Sequence, residues 1–152
     1  MTKILFICHG NICRSPMAEF VMKDLIKKAG LEAEFQIDSA ATSAEELGNP
    51  IYPPVQQLLR QHQIPFCAHR ARQITPQDAD RYSYLVGMDH WNLQAMRRVF
   101  KNSPALSLLL DWTDHPRDVA DPWYTGQFSA TWQDITQGCQ ALLTALRQRH
   151  SL

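Results

Sequence analysis

A continuous apolar run that ends in a short polar loop constrains this chain more than any other feature. Residues Ile4 to Ile7 are all apolar, as in a strand that is buried on both faces. The loop Cys8-His9-Gly10-Asn11-Ile12-Cys13-Arg14-Ser15 follows directly, and Pro16 then stands where the first turn of a helix would begin. The sequence therefore predicts a strand, a tight loop and a helix, in that order.

The residue types in this loop are suited to binding a phosphate group. Backbone N–H groups of a tight loop and the positive end of the following helix together form an anion site. Gly10 lets the backbone approach a ligand closely, and Asn11 tolerates left-handed geometry. The planar guanidinium of Arg14, six residues after Cys8, can hold two phosphoryl oxygens at once. We therefore predict a phosphate pocket.

Cys8 gives this pocket a nucleophile. The field that attracts an anionic ligand also favours the thiolate, which is the reactive form of cysteine. Ser15 can donate its hydroxyl to that sulfur, both before attack and when the sulfur leaves a phosphocysteine. A cysteine at a strand end is otherwise often a small core residue, and a serine here can be a helix cap. Cys, Gly, Asn, Arg and Ser together at these spacings favour phosphate chemistry.

The stretch from Phe6 to Pro16 resembles the signature of the low-molecular-weight protein tyrosine phosphatases, and the length of 152 residues is similar to theirs. The resemblance implies one α/β domain over residues 1–152, with three layers. It implies a four-stranded parallel sheet with helices on both faces and the phosphate-binding loop after strand 1. The implied reaction is metal-independent hydrolysis of phosphotyrosine and other aryl phosphate monoesters through a cysteinyl-phosphate. No cofactor is implied.

Asp121 is the candidate general acid. It begins Asp121-Pro122-Trp123-Tyr124, which contains the only Asp-Pro pair of the chain, and the resemblance implies the acid at this position. A phenolate leaves with difficulty, so a carboxylic acid should protonate the phenolic oxygen, and the carboxylate should then activate water. An Asp-Pro pair alone would be more typical of a turn. Trp123 and Tyr124 are candidates for an aromatic substrate slot, although buried loop anchors would have the same sequence.

Three more residues are implied by the resemblance as supports of the phosphate loop. Ser39 lies at the end of a predicted strand, where ordinary turn chemistry would explain it equally well. His69 is implied to brace the loop through hydrogen bonds rather than to transfer protons. Asp89 is implied to orient His69, whereas its place before an apolar periodic segment predicts a helix N-cap.

Periodicity and chain breakers predict the remaining elements. The predicted helices cover 16–29, 55–62, a segment that starts after Asp89 and a segment from about 129 to 150; the predicted strands cover 35–41, 82–88 and 106–112. Thr75 before Pro76 is typical of a helix N-cap followed by a first helical residue.

Composition limits the possible partners and compartment. Fifteen basic and fifteen acidic residues cancel, which gives no support for binding to nucleic acid or to a membrane surface. The first residues are too short an apolar run for a signal peptide, no run is long enough for a membrane span, and the cysteines lack zinc spacing. We expect a cytoplasmic monomer or weak dimer with no metal, acting on a phosphotyrosine-containing protein.

The segment after Thr42 departs from the family pattern. Relatives usually carry an aromatic residue two or three positions later, as one wall of the substrate slot, whereas this chain has Ala44, Glu45 and Glu46. The two glutamates could favour substrates with basic residues beside the phosphorylated one, or they could be an exposed acidic loop without such a role.

Two other features leave alternatives open. Cys13 could form a protective disulfide with Cys8, as in relatives, or could only fill space behind the loop. Arsenate reductases resemble this loop but add a closely spaced pair of resolving cysteines, which no segment after the third strand provides. A phosphoarginine phosphatase branch carries a small hydroxyl residue where this chain has Ile12, so the sequence favours phosphotyrosine.

Overall fold

Four parallel strands form the single sheet of this computed structural model, which describes all residues 1–152. In chain order they are β1 (Thr2–Cys8), β2 (Phe35–Ala41), β3 (Tyr84–Gly87) and β4 (Leu106–Leu108). Their order across the sheet is β2-β1-β3-β4, so β1 has a neighbour on each side. This central position explains the apolar run in β1, because its residues from Ile4 to Ile7 are fully buried.

Six α-helices accompany the sheet. They are α1 (Arg14–Lys28), α2 (Pro53–Gln61), α3 (Asp78–Arg81), α4 (His90–Phe100), α5 (Pro122–Thr125) and α6 (Phe128–Arg149). The larger core contains Ile4 and Phe6 of β1 together with α1 and α6, and the smaller core contains Leu5 and Ile7 together with α4. The predicted three-layer α/β fold with a four-stranded parallel sheet is confirmed. None of the six helices is both long enough and apolar enough to cross a membrane.

The fourth strand is shorter than predicted. β4 ends at Leu108, and Leu109–Trp112 form a 3-10 turn instead of continuing the strand to residue 112. Leu109 packs so closely on α6 that a Cβ at Gly138 would lie 2.5 Å from its Cγ. Five of the seven residues from 106 to 112 are apolar, and Leu108, Leu109 and Leu110 are buried across the end of the strand. Such a run does not distinguish a strand from a buried turn of helix.

The segment before β3 also differs from the prediction. Thr75 provides no side-chain cap, and α3 begins at Asp78. The carboxylate of Asp78 is fully buried and accepts the Thr75 N–H at 2.9 Å. The sequence predicts that the Thr75 side chain caps the backbone of the helix. In the structure the Asp78 side chain, three residues later, instead accepts the backbone N–H of Thr75. β3 begins at Tyr84, two residues later than predicted.

The sheet order brings distant residues together at one edge. The loop 8–15 leaves the carboxyl end of β1, and the ends of β2 and β3 lie on either side of it. In open α/β sheets, ligands bind outside the carboxyl ends of the strands, where neighbouring connections diverge. Ser39 of β2 and Asp89 after β3 therefore lie beside this loop.

Candidate active site

Hydrogen-bond donors converge on the sulfur of Cys8. The Asn11 N–H lies 3.3 Å and the Ser15 N–H 3.4 Å from Sγ, and the Ser15 hydroxyl lies 3.1 Å from it. The Asn11 side-chain amide donates to Ser15 Oγ at 2.8 Å, so the Ser15 hydroxyl hydrogen is available to the sulfur at 3.1 Å, with the Ala40 carbonyl at 3.4 Å as the more distant acceptor. Donors arranged in this way stabilise a thiolate and a bound anion.

Asn11 shapes the loop from inside. Its φ of 58° is left-handed, whereas Gly10 does not have a positive φ. The cost of this conformation is offset by hydrogen bonds, since the Asn11 side chain donates to Ser39 Oγ at 2.9 Å and accepts the Arg72 N–H at 3.2 Å. Gly10 instead allows the Glu46 side chain to approach the loop closely, because a Cβ at residue 10 would lie 3.3 Å from Cγ of Glu46.

A buried carboxylate that the sequence analysis missed completes this network. Glu19 of α1 is 6% exposed and accepts the Ser39 hydroxyl at 2.5 Å. His69 donates its Nε2–H to the Asn11 carbonyl at 3.0 Å, and its Nδ1 lies 3.8 Å from Glu19 Oε1. Glu19 follows Ser15 by four residues and therefore lies on the same face of α1, which is the signal that could have identified it.

Asp89 supports Arg14 rather than His69. Its carboxylate accepts Arg14 Nη1 at 2.7 Å, and its other oxygen caps α4 by accepting the Asn92 N–H at 2.8 Å. The predicted N-cap is confirmed, and the expected contact with His69 is wrong, because the carboxylate beside His69 is Glu19. Asp89 follows the end of β3, and this position brings its carboxylate next to the guanidinium of Arg14.

Arg14 lies beneath the site with its charge compensated. It is 2% exposed, and besides Asp89 it contacts the Val119 carbonyl at 2.8 Å through Nη1 and Asp121 Oδ2 at 3.3 Å through Nη2. Burial opposes its charge, but Cys8, Asp89 and Asp121 outweigh burial and raise the pKa of Arg14 above its ordinary value. One edge of the guanidinium fork is therefore occupied by the protein.

Asp121 stands at the start of α5, in a loop that several contacts hold. Its Oδ1 accepts the Trp123 N–H at 3.0 Å. Val119 N–H donates to the Met88 carbonyl at 2.8 Å, and the Thr131 hydroxyl donates to the Ala120 carbonyl at 3.0 Å. The Asp121 side chain is 22% exposed, so it is held near Arg14 while remaining open to a ligand.

The loop residues and Asp121 surround one cavity of about 130 Å³. Its eleven lining residues are Cys8, His9, Gly10, Ile12, Cys13, Arg14, Glu45, Glu46, Asp121, Trp123 and Tyr124. The larger groove of about 680 Å³ beside α1 and β2 contains none of them. The small cavity is the candidate active site, because it alone of the two combines a nucleophile, a guanidinium and a carboxyl group.

The walls of this cavity differ in chemistry. On one side Trp123 is 54% and Tyr124 83% exposed, so Tyr124 is not a buried loop anchor. The Trp123 ring packs on Tyr52, with ring centroids 4.9 Å apart, and Tyr52 is a second residue that the sequence analysis missed. Glu45 and Glu46 also line the cavity.

The thiols other than Cys8 are not equivalent. All four cysteines are free; Cys67 is exposed, and Cys13 and Cys139 are buried. Burial raises the pKa of Cys13, and Cys8 and Asp121 raise it further. Cys13 therefore stays protonated near neutral pH although it lines the cavity. No group of three or more His, Cys, Asp or Glu side chains is arranged to hold a metal ion.

Comparisons with known proteins agree on one family. A family profile described as "Low molecular weight phosphotyrosine protein phosphatase" matches residues 3–152. The Bacillus subtilis low molecular weight protein-tyrosine-phosphatase YfkJ is 40% identical over 156 residues, which cover 100% of both chains. The crystal structure of YfkJ matches with a TM-score of 0.95 over 98% of this chain and 96% of that chain. The crystal structure of the Drosophila arginine phosphatase DARP matches with a TM-score of 0.85 and 31% identity, over 96% and 98% of the two chains.

Proposed function

The chain belongs to the low molecular weight phosphotyrosine protein phosphatase family and is a hydrolase of phosphotyrosine in proteins; on that premise we propose that Cys8 is its nucleophile and Asp121 its general acid. One observation carries this assignment. The cavity into which the Cys8 sulfur opens, with three donors directed at that sulfur, also contains Arg14 and Asp121. Nucleophile, anion-binding groups and acid thus share one space of about 130 Å³.

In the first step the Cys8 thiolate attacks phosphorus. The Sγ–P bond forms as the bond from phosphorus to the phenolic oxygen breaks, and Asp121 gives its proton to that oxygen. The loop N–H groups bind the phosphoryl oxygens together with the Nη2 edge of the Arg14 guanidinium, which Asp121 leaves when it turns toward the phenolic oxygen. Asp89 and the Val119 carbonyl hold the other edge at 2.7 and 2.8 Å, which fixes the guanidinium before substrate arrives.

In the second step water releases phosphate from Cys8. The Asp121 carboxylate takes a proton from water, the new oxygen–phosphorus bond forms, and the Sγ–P bond breaks. Ser15 donates to the departing sulfur from its position 3.1 Å away. The contact between Asp121 and Arg14 at 3.3 Å is longer than the Asp89 contact, so Asp121 can turn between Arg14 and the reacting oxygen.

The other residues of the site act on shape and position. Ser39, His69 and Asp89 are positioning residues for the loop and for Arg14, through the hydrogen bonds described above. The remaining loop residues His9, Gly10, Ile12 and Cys13 line the cavity, and Trp123 and Tyr124 provide the aromatic wall against which a phenyl ring can stack. No step requires a metal or a cofactor.

We extend the proposal to the whole chain. Residues 1–152 constitute one phosphatase domain, because all four strands belong to one sheet. The protein is cytoplasmic and acts as a monomer or weak dimer; four free thiols, one of them the nucleophile, suit a reducing compartment. The balanced charge supports no role in binding nucleic acid.

Arsenate reduction and phosphoarginine hydrolysis are not favoured. The family profile and the Bacillus relative both carry the name of phosphotyrosine phosphatases. Likeness of fold does not separate phosphotyrosine from phosphoarginine, since the Drosophila arginine phosphatase is also similar. Position 12 favours phosphotyrosine, because the large apolar side chain of Ile12 lines the cavity where the resemblance implies a small hydroxyl residue in the phosphoarginine branch.

The decisive experiment measures hydrolysis of phenolic phosphate esters in the presence of a metal chelator. Wild type turns over, and Cys8→Ser does not. Asp121→Asn loses about 10²- to 10⁴-fold in kcat/KM, which reports the first step, for esters of poor leaving groups and much less for esters of good ones. Phosphoarginine serves as the comparison substrate. Residual turnover by Cys8→Ser, or an equal loss in kcat/KM for all leaving groups in Asp121→Asn, would contradict the assigned roles.

A further inference from the structure

The two glutamates on the cavity wall have no part in the chemistry described above. Glu45 is bound to His9 of the phosphate loop, with 2.9 Å between its Oε2 and Nε2 of the imidazole. Ser43 fixes this segment to the same residue, because its hydroxyl and its N–H both donate to the His9 carbonyl, at 2.9 and 3.1 Å. The acidic segment is therefore attached to the rim of the active site.

Glu46 is less exposed than Glu45. Its Cγ would be 3.3 Å from a Cβ at Gly10, so the side chain rests on the phosphate loop where glycine leaves room. Its Oε2 accepts the Asn49 side-chain amide at 2.5 Å. This partner is neutral, so the charge of Glu46 is oriented but not compensated. The charge of Glu45, in contrast, is compensated whenever His9 is protonated.

The charged side chains at the rim of the cavity, Glu45 and Glu46, are acidic. Arg14 is the only lysine or arginine among the eleven lining residues, and it already contacts Asp89 and Asp121. Against it stand the Cys8 thiolate and the two rim carboxylates. A phosphotyrosine that enters therefore gains if its own peptide brings positive charge to the rim.

We propose that Glu45 and Glu46 select phosphotyrosine substrates that have lysine or arginine next to the phosphorylated residue. This rests on the proposed function, because it assumes that the phosphoryl group enters toward Cys8. With the ring against Trp123 and Tyr124, the peptide backbone passes over the rim and its basic side chains reach the carboxylates. Acidic flanking residues meet like charge there and bind less well.

The test uses phosphotyrosine pentapeptides with lysine, alanine or glutamate at the four flanking positions. For wild type we expect kcat/KM to be about tenfold higher with lysine than with glutamate, because each exposed ion pair contributes modestly. The difference should lie in KM rather than kcat and should shrink in 0.5 M salt. The double variant Glu45→Gln/Glu46→Gln should reduce the ratio to about twofold or less, with the larger share due to Glu46→Gln.

A matched control removes the same net charge elsewhere. Glu32 and Glu34 are exposed and line no part of the active-site cavity. Glu32→Gln/Glu34→Gln should keep the wild-type ratio of the two peptides. Because the readout is a ratio within one variant, a change in overall activity cancels.

Binding to Cys8→Ser separates this inference from the proposed mechanism. The dissociation constants of the same peptides for Cys8→Ser should show the same preference for lysine. If Cys8→Ser binds the lysine peptide preferentially but wild type hydrolyses none of the peptides, the proposed mechanism is wrong and the proposed substrate selection stands. Turnover of all three peptides at similar kcat/KM, or an unchanged ratio in the double glutamine variant, would overturn the selection and keep the mechanism.

Discussion

The floor and the rim of the active-site cavity are held in different ways. The floor is the buried layer beneath the lining residues; it consists of Asn11, Ser15, Ser39 and Glu19, which are joined by side-chain hydrogen bonds of 2.5 to 2.9 Å. The rim consists of Glu45, Glu46, Trp123 and Tyr124, which have fewer and more exposed contacts. The floor also joins α1, β2 and the phosphate loop, whereas each part of the rim belongs to a single loop or short helix.

Because of this difference, the floor should determine the rate of the chemical steps and the rim should determine which substrates bind. Donors that are fixed before substrate binds act on the developing charge without reorganisation, so the floor determines how fast phosphorus reacts. Exposed ion pairs contribute about 0.2 to 1 kcal/mol each, and exposed side chains usually tolerate replacement. The rim can therefore change from one sequence to another while the floor keeps its geometry. Substitutions in the floor, behind it and in the rim can test whether the two parts act separately.

Replacing Asn11 by alanine should have the largest effect. It removes the side-chain contacts to Ser15, Ser39 and the Arg72 N–H, and it leaves at a φ of 58° an alanine, which has no side-chain hydrogen bonds to offset the left-handed backbone. Loss of a preorganised donor framework should lower kcat/KM for an aryl phosphate by about 10²- to 10³-fold. Steady-state kinetics with a phenolic ester provide the measurement.

Gln63 offers a matched control for backbone strain. It has a φ of 57°, is exposed and lies far from the cavity lining. Gln63→Ala likewise places an alanine at a left-handed φ, but glutamine already has a Cβ there, so stability should change little and the kinetics should stay those of wild type. If Asn11→Ala kept kcat/KM within threefold of wild type, the buried network would not be what fixes the loop.

Replacing Asp78 by asparagine should weaken the support behind the floor. Asp78 is fully buried and accepts both Nη1 and Nη2 of Arg72 at 3.1 Å. The backbone N–H of the same arginine donates to Asn11. We expect the free energy of unfolding to fall by about 2 to 3 kcal/mol in urea titrations, less than for a fully buried ion pair because Arg72 reaches solvent.

The exposed ion pair of Arg117 and Asp134, 2.7 Å apart, is the comparison for that variant. Asp134→Asn should cost less than about 1 kcal/mol. Equal losses in the two variants would mean that burial of Asp78 adds nothing. A fall in stability for Asp78→Asn with unchanged kcat would limit its role to folding.

The sequence predicted the parts of this molecule that depend on local pattern. β2 lies at the predicted 35–41, and Asp89 caps its helix. The end of β4 could not be predicted, because an apolar run of this kind fits both a strand and the 3-10 turn that packs on Gly138. The sequence pattern identifies helices and strands, but their length depends on which neighbouring element packs on them.

The same limit applies to the site. The loop from Cys8 to Ser15 carries its chemistry in consecutive residues and could be read directly. Glu19 and Tyr52 were missed, because a glutamate on a helix and a tyrosine before a proline are ordinary in sequence. Their roles arise from contacts with Ser39 and Trp123, which only the tertiary structure brings near. Asp89 was assigned to the wrong partner for the same reason.

Replacing Trp123 by alanine should have the smallest effect of the three. The ring is half exposed and packs on Tyr52, so its loss removes one stacking surface for the substrate ring. An aromatic pair contributes about 0.5 to 1.5 kcal/mol, and KM for a phenolic ester should accordingly rise by about two- to tenfold. The backbone N–H that Asp121 accepts is kept in alanine, so kcat should change little. Trp91→Ala, which removes a 66% exposed tryptophan outside the cavity, should leave both constants unchanged. A loss in kcat as large as that of Asn11→Ala would show that the rim takes part in the chemistry, and floor and rim would then have to be treated as one unit.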